Sequence, residues 1–265
     1  MCALVAIYGD KPTDLVRLIT DLQSRISNMI GTAFHPYDIQ QIHATITGIG
    51  QAQPSTSLIN KIDIDGLINF LQKSGVIPFQ VQIGGFQKRH YPFLSRGIQP
   101  YDRSFSLRDG KALIIGWPIR GTPSTNENLT IIDLLQESRI YPTTLDKIRQ
   151  VAKGFGCIHR YYQDINDFDN DFYFRIGLFD SMSLSEEEQD AVENSVRQFL
   201  SDSPPITIEI NQSDLYFVFS DKETLPRDST RTFSISEPNV FVNVMSQMQV
   251  ETKPKTHSRN KRGEK

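Results

Sequence analysis

Only two cysteines, Cys2 and Cys157, occur in 265 residues. They lie far apart and neither sits in a CxxC pair, which excludes a disulfide framework or a cysteine-built zinc site and suits a reducing compartment. No apolar stretch approaches the ~20 residues that cross a membrane as a helix. The run Ala3 to Tyr8 has no preceding positive charges and is too short for a secretory signal, so a soluble, cytoplasmic protein is expected. A Walker loop, a GxSxG elbow and an HExxH pair are all missing, which argues against nucleotide triphosphatases, α/β-hydrolases and zincins. Asp164, Asp167, Asp169 and Asp171 lack the glycine and closing glutamate of a calcium loop and read as a solvated acidic connector. Neither a metal nor a cofactor is expected.

What the chain does have is enough apolar residues, 38%, with 10% aromatic, to bury a sizeable core. Its net charge of −3 is uneven: residues 253–265 carry six Lys or Arg against one Glu, so the body is acidic and the tail basic. Short β-rich runs are read at Ala3 to Tyr8, Ile39 to Ile49, Phe79 to Ile83, Ala112 to Ile119, Asp171 to Asp180, Ile206 to Ile210 and Leu215 to Ser220. Helical spacing runs from Thr13 to about Gly31, Leu58 to Leu71, Leu129 to Lys153 with a break near Pro142, and Leu184 to Leu200, where Ser185 leads an acidic first turn. His35-Pro36-Tyr37-Asp38 is turn-prone, and Asn211 to Asp214 reads as a hairpin loop. Phe86 to Lys111 has no clean period and reads as a basic, aromatic excursion. Strands outnumber helices without regular crossovers, which points to an α+β protein with antiparallel sheets.

The segment His43-Ala-Thr45-Ile-Thr47 carries the chemistry. Alternate residues of a strand share a face, so this spacing aligns one imidazole with two hydroxyls. An imidazole exchanges a proton near neutral pH, and hydroxyls donate to phosphoryl oxygens. The plain alternative is a strand-face histidine among ordinary β-formers.

The order strand, long helix, HxTxT strand, helix, Pro78-Phe-Gln-Val-Gln-Ile-Gly-Gly-Phe86, then Gly116-Trp117, with Asp214-Leu-Tyr-Phe-Val-Phe-Ser220 at the end, resembles the two-histidine (2H) phosphoesterase superfamily of RNA ligase and cyclic phosphodiesterase type. The resemblance spans residues 3 to 220, and HxTxT is its one specific motif. It implies two pseudo-symmetric lobes, each an antiparallel sheet packed with helices, around a central cleft. It also implies a metal-independent reaction at 2′,3′-cyclic phosphates, 2′-5′ linkages or related RNA ends. By that likeness His43 is catalytic with Thr45, and Thr47 belongs to the same phosphate-binding strand. The second motif falls on Phe172-Tyr-Phe-Arg175-Ile-Gly177, with Arg175 where the second histidine belongs and Gly177 where the second hydroxyl belongs. Arginine cannot transfer a proton but pairs with phosphate through its planar fork.

Tyr173 shares the face of Arg175 and is a candidate cleft contact, against core packing as the plain alternative. His159 is a candidate substitute for the missing imidazole, with surface or packing roles as the plain alternative. Arg89, His90, Tyr91 and Arg96 in the excursion are candidate nucleic-acid contacts, against an ordinary solvated loop. Residues 1–220 are expected to form the bilobal domain, 221–252 a C-terminal extension and 253–265 a disordered basic tail able to touch RNA without specificity. A monomer that meets a nucleotide or RNA-end phosphodiester is one expectation; a catalytically inactive module that binds the same phosphate is the other.

Overall fold

The computed structural model describes residues 2–49, 62–87, 100–120, 142–159 and 169–237. In chain order its elements are β1 Cys2–Ala6, α1 Thr13–Ile30, β2 Phe34–Pro36, β3 Ala44–Gly48, α2 Ile64–Lys73, β4 Phe79–Ile83, the short α3 Pro100–Arg103, β5 Phe105–Arg108 and β6 Lys111–Arg120. They continue with α4 Thr144–Gly154, β7 Phe172–Phe179, α5 Glu186–Asp202, β8 Ile206–Ile210, β9 Leu215–Phe219 and β10 Arg231–Ser234. The strands join into an antiparallel sheet of order β10-β9-β1-β3-β7-β6-β4-β8, with β2 on β7 and β5 on β6. The protein is therefore α+β, as the strand-rich pattern implies. Among the described residues no helix is long and apolar enough to cross a membrane.

Local chemistry accounts for these elements. The stripe Leu15, Leu18, Ile19, Leu22 and Ile26 of α1 is buried at helical spacing. Helix α5 starts at Ser185, whose hydroxyl accepts from the Glu188 amide at 3.2 Å while the Glu188 carboxylate accepts from the Ser185 amide at 2.8 Å. Asp63 caps α2 by accepting from the Gly66 amide at 2.7 Å. These helices share one core with the strand residues Leu4, Ala6, Ala44, Ile46, Val81, Phe174, Ile176 and Phe217, so the helices line one side of the sheet. The opposite side carries two smaller clusters. One joins Ala3, Val5, Tyr8, Val218 and Leu225, and the other joins Phe86, Ile115 and Trp117 with Tyr173 against them.

Several expectations change. The strand read from Ile39 begins only at Ala44, because Asp38 accepts from the Gln40 amide at 2.7 Å and turns Ile39–Gln41 into a 3-10 coil. The turn-prone His35-Pro36 is instead strand β2, paired with Leu178 and Gly177. Asn211 to Asp214 closes no hairpin: β8 pairs with β4, whereas β9 pairs with β1 and β10. The chain beyond Ser220 contributes β10 and the buried Leu225 and Ile235, so residues 221–237 are packed on the sheet. Within the excursion, Pro100–Arg103 forms α3 and Phe105–Arg108 forms β5. Residues 129–141, Val240 to Val244, the tail and the candidate contacts Arg89, His90, Tyr91 and Arg96 lie outside the described residues.

Candidate functional site

The two motif strands meet at a single backbone pair, Ala44 with Phe174. Both of those side chains face the core, so the residues one step away, His43 with Arg175 and Thr45 with Tyr173, neighbour each other on the other face. Here the sheet's second side is flanked by the Tyr8 cluster and the Trp117 cluster.

His43 is the last residue before β3. The preceding 3-10 turn brings the Gln41 carbonyl to 2.8 Å from His43 Nδ1. A carbonyl only accepts, so Nδ1 carries the proton and Nε2 presents a lone pair. Among the described residues Nε2 has no hydrogen-bond partner. The imidazole meets the Tyr8 ring edge-on, with centroids 5.9 Å apart. Burial first, and then the positive charges of Arg175 and Lys11, push its pKa down to about 4, opposed by the Gln41 bond. The ring is neutral at physiological pH.

Thr45 is half-buried and pairs with Val5, on the side of His43. Thr47 is not there. The β1–β3 ladder shifts between Leu4 and Val5, leaving Ile46 as an extra residue, so Thr47 pairs with Leu4 on the core face. Its side chain is fully buried and its hydroxyl donates to the Cys157 carbonyl at 3.4 Å. The bulge thus removes Thr47 from the expected phosphate-binding row.

Arg175 donates to Glu223 at 3.0 Å, and Lys111 Nζ lies 3.3 Å from the same Glu223 oxygen. Although burial works against it, Arg175 and Lys111 together hold the Glu223 carboxyl below its usual range. The Tyr37 hydroxyl lies beside the guanidinium; burial raises its pKa while Arg175 lowers it. Gly177 cannot be exchanged for the missing hydroxyl. A second ladder shift, between Ala112 and Leu113, turns it to the core, where a Cβ would lie 2.5 Å from the Phe34 ring and 2.7 Å from the His35 carbonyl oxygen. Gly177→Thr, which would rewrite the second motif, is expected to cost about 1–3 kcal/mol of stability through overpacking. A urea midpoint lowered accordingly is the check; an unchanged midpoint would refute the close approach.

Behind the site runs a buried polar chain. Arg149, fully buried, donates to the carbonyls of Thr45 at 3.1 Å, Ile46 at 3.0 Å, Asp169 at 2.8 Å and Asp171 at 3.0 Å, and its guanidinium lies 3.2 Å from the Asp169 carboxylate. Asp169 also sits 3.3 Å from His159 Nδ1, and His159 Nε2 lies 3.5 Å from the Tyr173 hydroxyl. Burial, then Arg149, drives the His159 pKa down to about 2. Asp171 pairs with Arg103. Asp169 and Asp171 are therefore buried partners of arginines, not members of a solvated connector. Burial raises the carboxyls of Asp146 and Asp171 to about 6.

Tyr8, Lys11, Tyr37, Arg149 and Glu223 escape a motif search because they reach the site from four different segments. Lys11 donates to the Gly9 carbonyl at 2.7 Å, and burial, then Arg227, lowers its pKa to about 8. Beside Tyr8 opens a cavity of about 320 Å³ lined in part by Asp10, Asp214, Tyr216, Arg227 and Thr232. The Arg227 guanidinium lies 4.9 Å over the Tyr8 ring. Among the described residues no cluster of three or more His, Cys, Asp or Glu is arranged to hold a metal. No protein-family model matches this chain, and no curated protein matches it.

Proposed function

We propose that this protein binds a nucleotide or RNA-end phosphodiester over the Ala44/Phe174 pair and acts on it as a metal-independent phosphoesterase of 2H type, with His43 as general base. The observation that carries the reading is the His43 imidazole, fixed by Gln41 with its Nε2 lone pair unengaged beside Thr45 and Arg175. Thr45 supplies a hydroxyl for a phosphoryl oxygen, and Arg175 a charged fork. The adjoining cavity at Tyr8 has room for the nucleoside. Two four-strand halves, β10-β9-β1-β3 and β7-β6-β4-β8, joined through one pair, support two lobes with the site at their waist.

A bound phosphate makes His43 a better base. Burial first, and then Arg175 and Lys11, hold the His43 pKa at about 4. A bound phosphate offsets both cations and brings the imidazole nearer to neutrality, where general bases work best. The phosphate must first take Arg175 from Glu223, whose carboxylate already fills the role of an anion. That contact also favours a second reading, in which the site captures phosphate reversibly without turnover.

Titration with nucleoside 2′- and 3′-monophosphates, followed through the His43 ring by NMR, tests the site. Saturable binding that moves the His43 midpoint up from about 4 is expected, with tighter binding in Glu223→Gln. No binding to either protein, or a His43 midpoint indifferent to phosphate, would rule the site out.

A further inference from the structure

We propose that Tyr173 is the second proton-transfer group of this site, the general acid opposite His43, and that the buried chain His159–Asp169–Arg149 positions its hydroxyl. The proposal rests on the phosphoesterase reading above and names the residue that stands in for the absent second histidine.

The strand register is the first support. A twofold axis normal to the sheet at the Ala44/Phe174 pair takes each strand of this antiparallel pair onto the other. It carries Ile46 to Ile176 and Thr47 to Gly177. The ladder irregularities fall at just these places, one beside Ile46 and one beside Ile176. The same operation takes His43 to Tyr173 and Thr45 to Arg175. Aligned by its bulge, the second motif therefore reads tyrosine at the histidine position and arginine at the hydroxyl position, two residues earlier than its spelling suggests. Arginine then keeps a phosphate-binding role, and the proton-transfer position holds a group that can perform it.

The second support is the wiring. The phenol lies against His159, with ring centroids 6.3 Å apart and the hydroxyl 3.5 Å from Nε2. His159 Nδ1 lies 3.3 Å from the Asp169 carboxylate, and that carboxylate lies 3.2 Å from Arg149, which also grips the carbonyls of Thr45 and Ile46. One buried arginine thereby ties the β3 motif to the support of Tyr173 on β7. In the reaction, His43 Nε2 takes a proton from water as the water oxygen bonds to phosphorus of a 2′,3′-cyclic phosphate. The bond from phosphorus to one ring oxygen breaks with its electron pair, and that oxygen takes the phenolic proton. The imidazolium proton returns to the phenolate through solvent, leaving a phosphomonoester and the starting enzyme. Tyr173 is the catalytic residue in this step and His159 a positioning residue.

Leaving-group dependence tests it. On nucleoside 2′,3′-cyclic phosphates, Tyr173→Phe is expected to lose about 10²- to 10⁴-fold in kcat with little change in KM. On bis(p-nitrophenyl) phosphate, whose leaving group needs no proton, the loss should stay below about tenfold. His159→Asn should show the same split in weaker form, and urea midpoints of both variants establish that they are folded. A Tyr173→Phe enzyme as active as wild type, or one equally impaired on both substrates, overturns the acid role and leaves the phosphoesterase reading standing. A wild-type protein inactive on every cyclic phosphate overturns both.

Discussion

Replacing Arg149 with methionine should destabilise the fold by about 3–5 kcal/mol, the cost typical of breaking a buried charge network from one side. The guanidinium is fully buried, donates to four backbone carbonyls from β3 and residues 169–171, and faces the Asp169 carboxylate. Methionine preserves much of the volume, so the loss is not a cavity effect. It leaves those carbonyls and a carboxylate without their donor, and unsatisfied buried acceptors cost far more than a hydrogen bond contributes. Arg149→Lys should recover only part of the loss, because one ammonium cannot span the carbonyls that a planar fork reaches. Urea unfolding read by tryptophan fluorescence and far-UV circular dichroism measures both variants; a midpoint within experimental error of wild type for Arg149→Met would show that the network carries no such weight.

His43 and the buried network together set a pH dependence whose sign follows from the shifts. His43 and His159 have folded pKa values of about 4 and about 2, below the ordinary histidine value, so their contributions are fully present above about 6.5 and decline as pH falls. Asp146 and Asp171, raised to about 6, work in the opposite direction: the folded state takes up protons there, which favours it as pH falls toward the ordinary carboxyl range. Between about pH 6 and 4 the two pairs oppose one another.

The elements that declared themselves in the sequence are those whose pattern is self-contained. Strands β4 and β8 alternate or run apolar between turn residues, α1 carries one clean stripe, and the Ser185/Glu188 box marks the start of α5. Thr47 misleads because a period-two reading has no means of seeing that Ile46 is a bulge. Asp169 and Asp171 look solvated until Arg149 and Arg103 are brought to them by the fold. The hairpin between Ile210 and Leu215 fails for a similar reason, since sequence adjacency says nothing of the separate partners, β4 and β1, that claim the two strands. Of the site, His43 and Thr45 were legible as a motif and Arg175 by position. The contributions of Tyr8, Lys11 and Glu223 depend on contacts between segments that no local spacing encodes.

His43→Ala should have a large effect on activity. The neutral imidazole is the one group in the described site with an oriented, unengaged base nitrogen, and removing a general base typically forfeits about 10²- to 10⁴-fold in rate. Because the ring is half-buried against Tyr8 and its Nδ1 bond is to a turn carbonyl, its removal leaves the core strands Leu4, Ala44 and Phe174 undisturbed. A folded but inactive variant is the expected outcome. The most direct measurement is metal-free hydrolysis of nucleoside 2′,3′-cyclic phosphates and 2′-5′ linked oligonucleotides by the wild-type protein beside His43→Ala. Turnover by the wild type that falls about 10²- to 10⁴-fold in the variant is the predicted result; no turnover by either protein, or equal turnover by both, would contradict it.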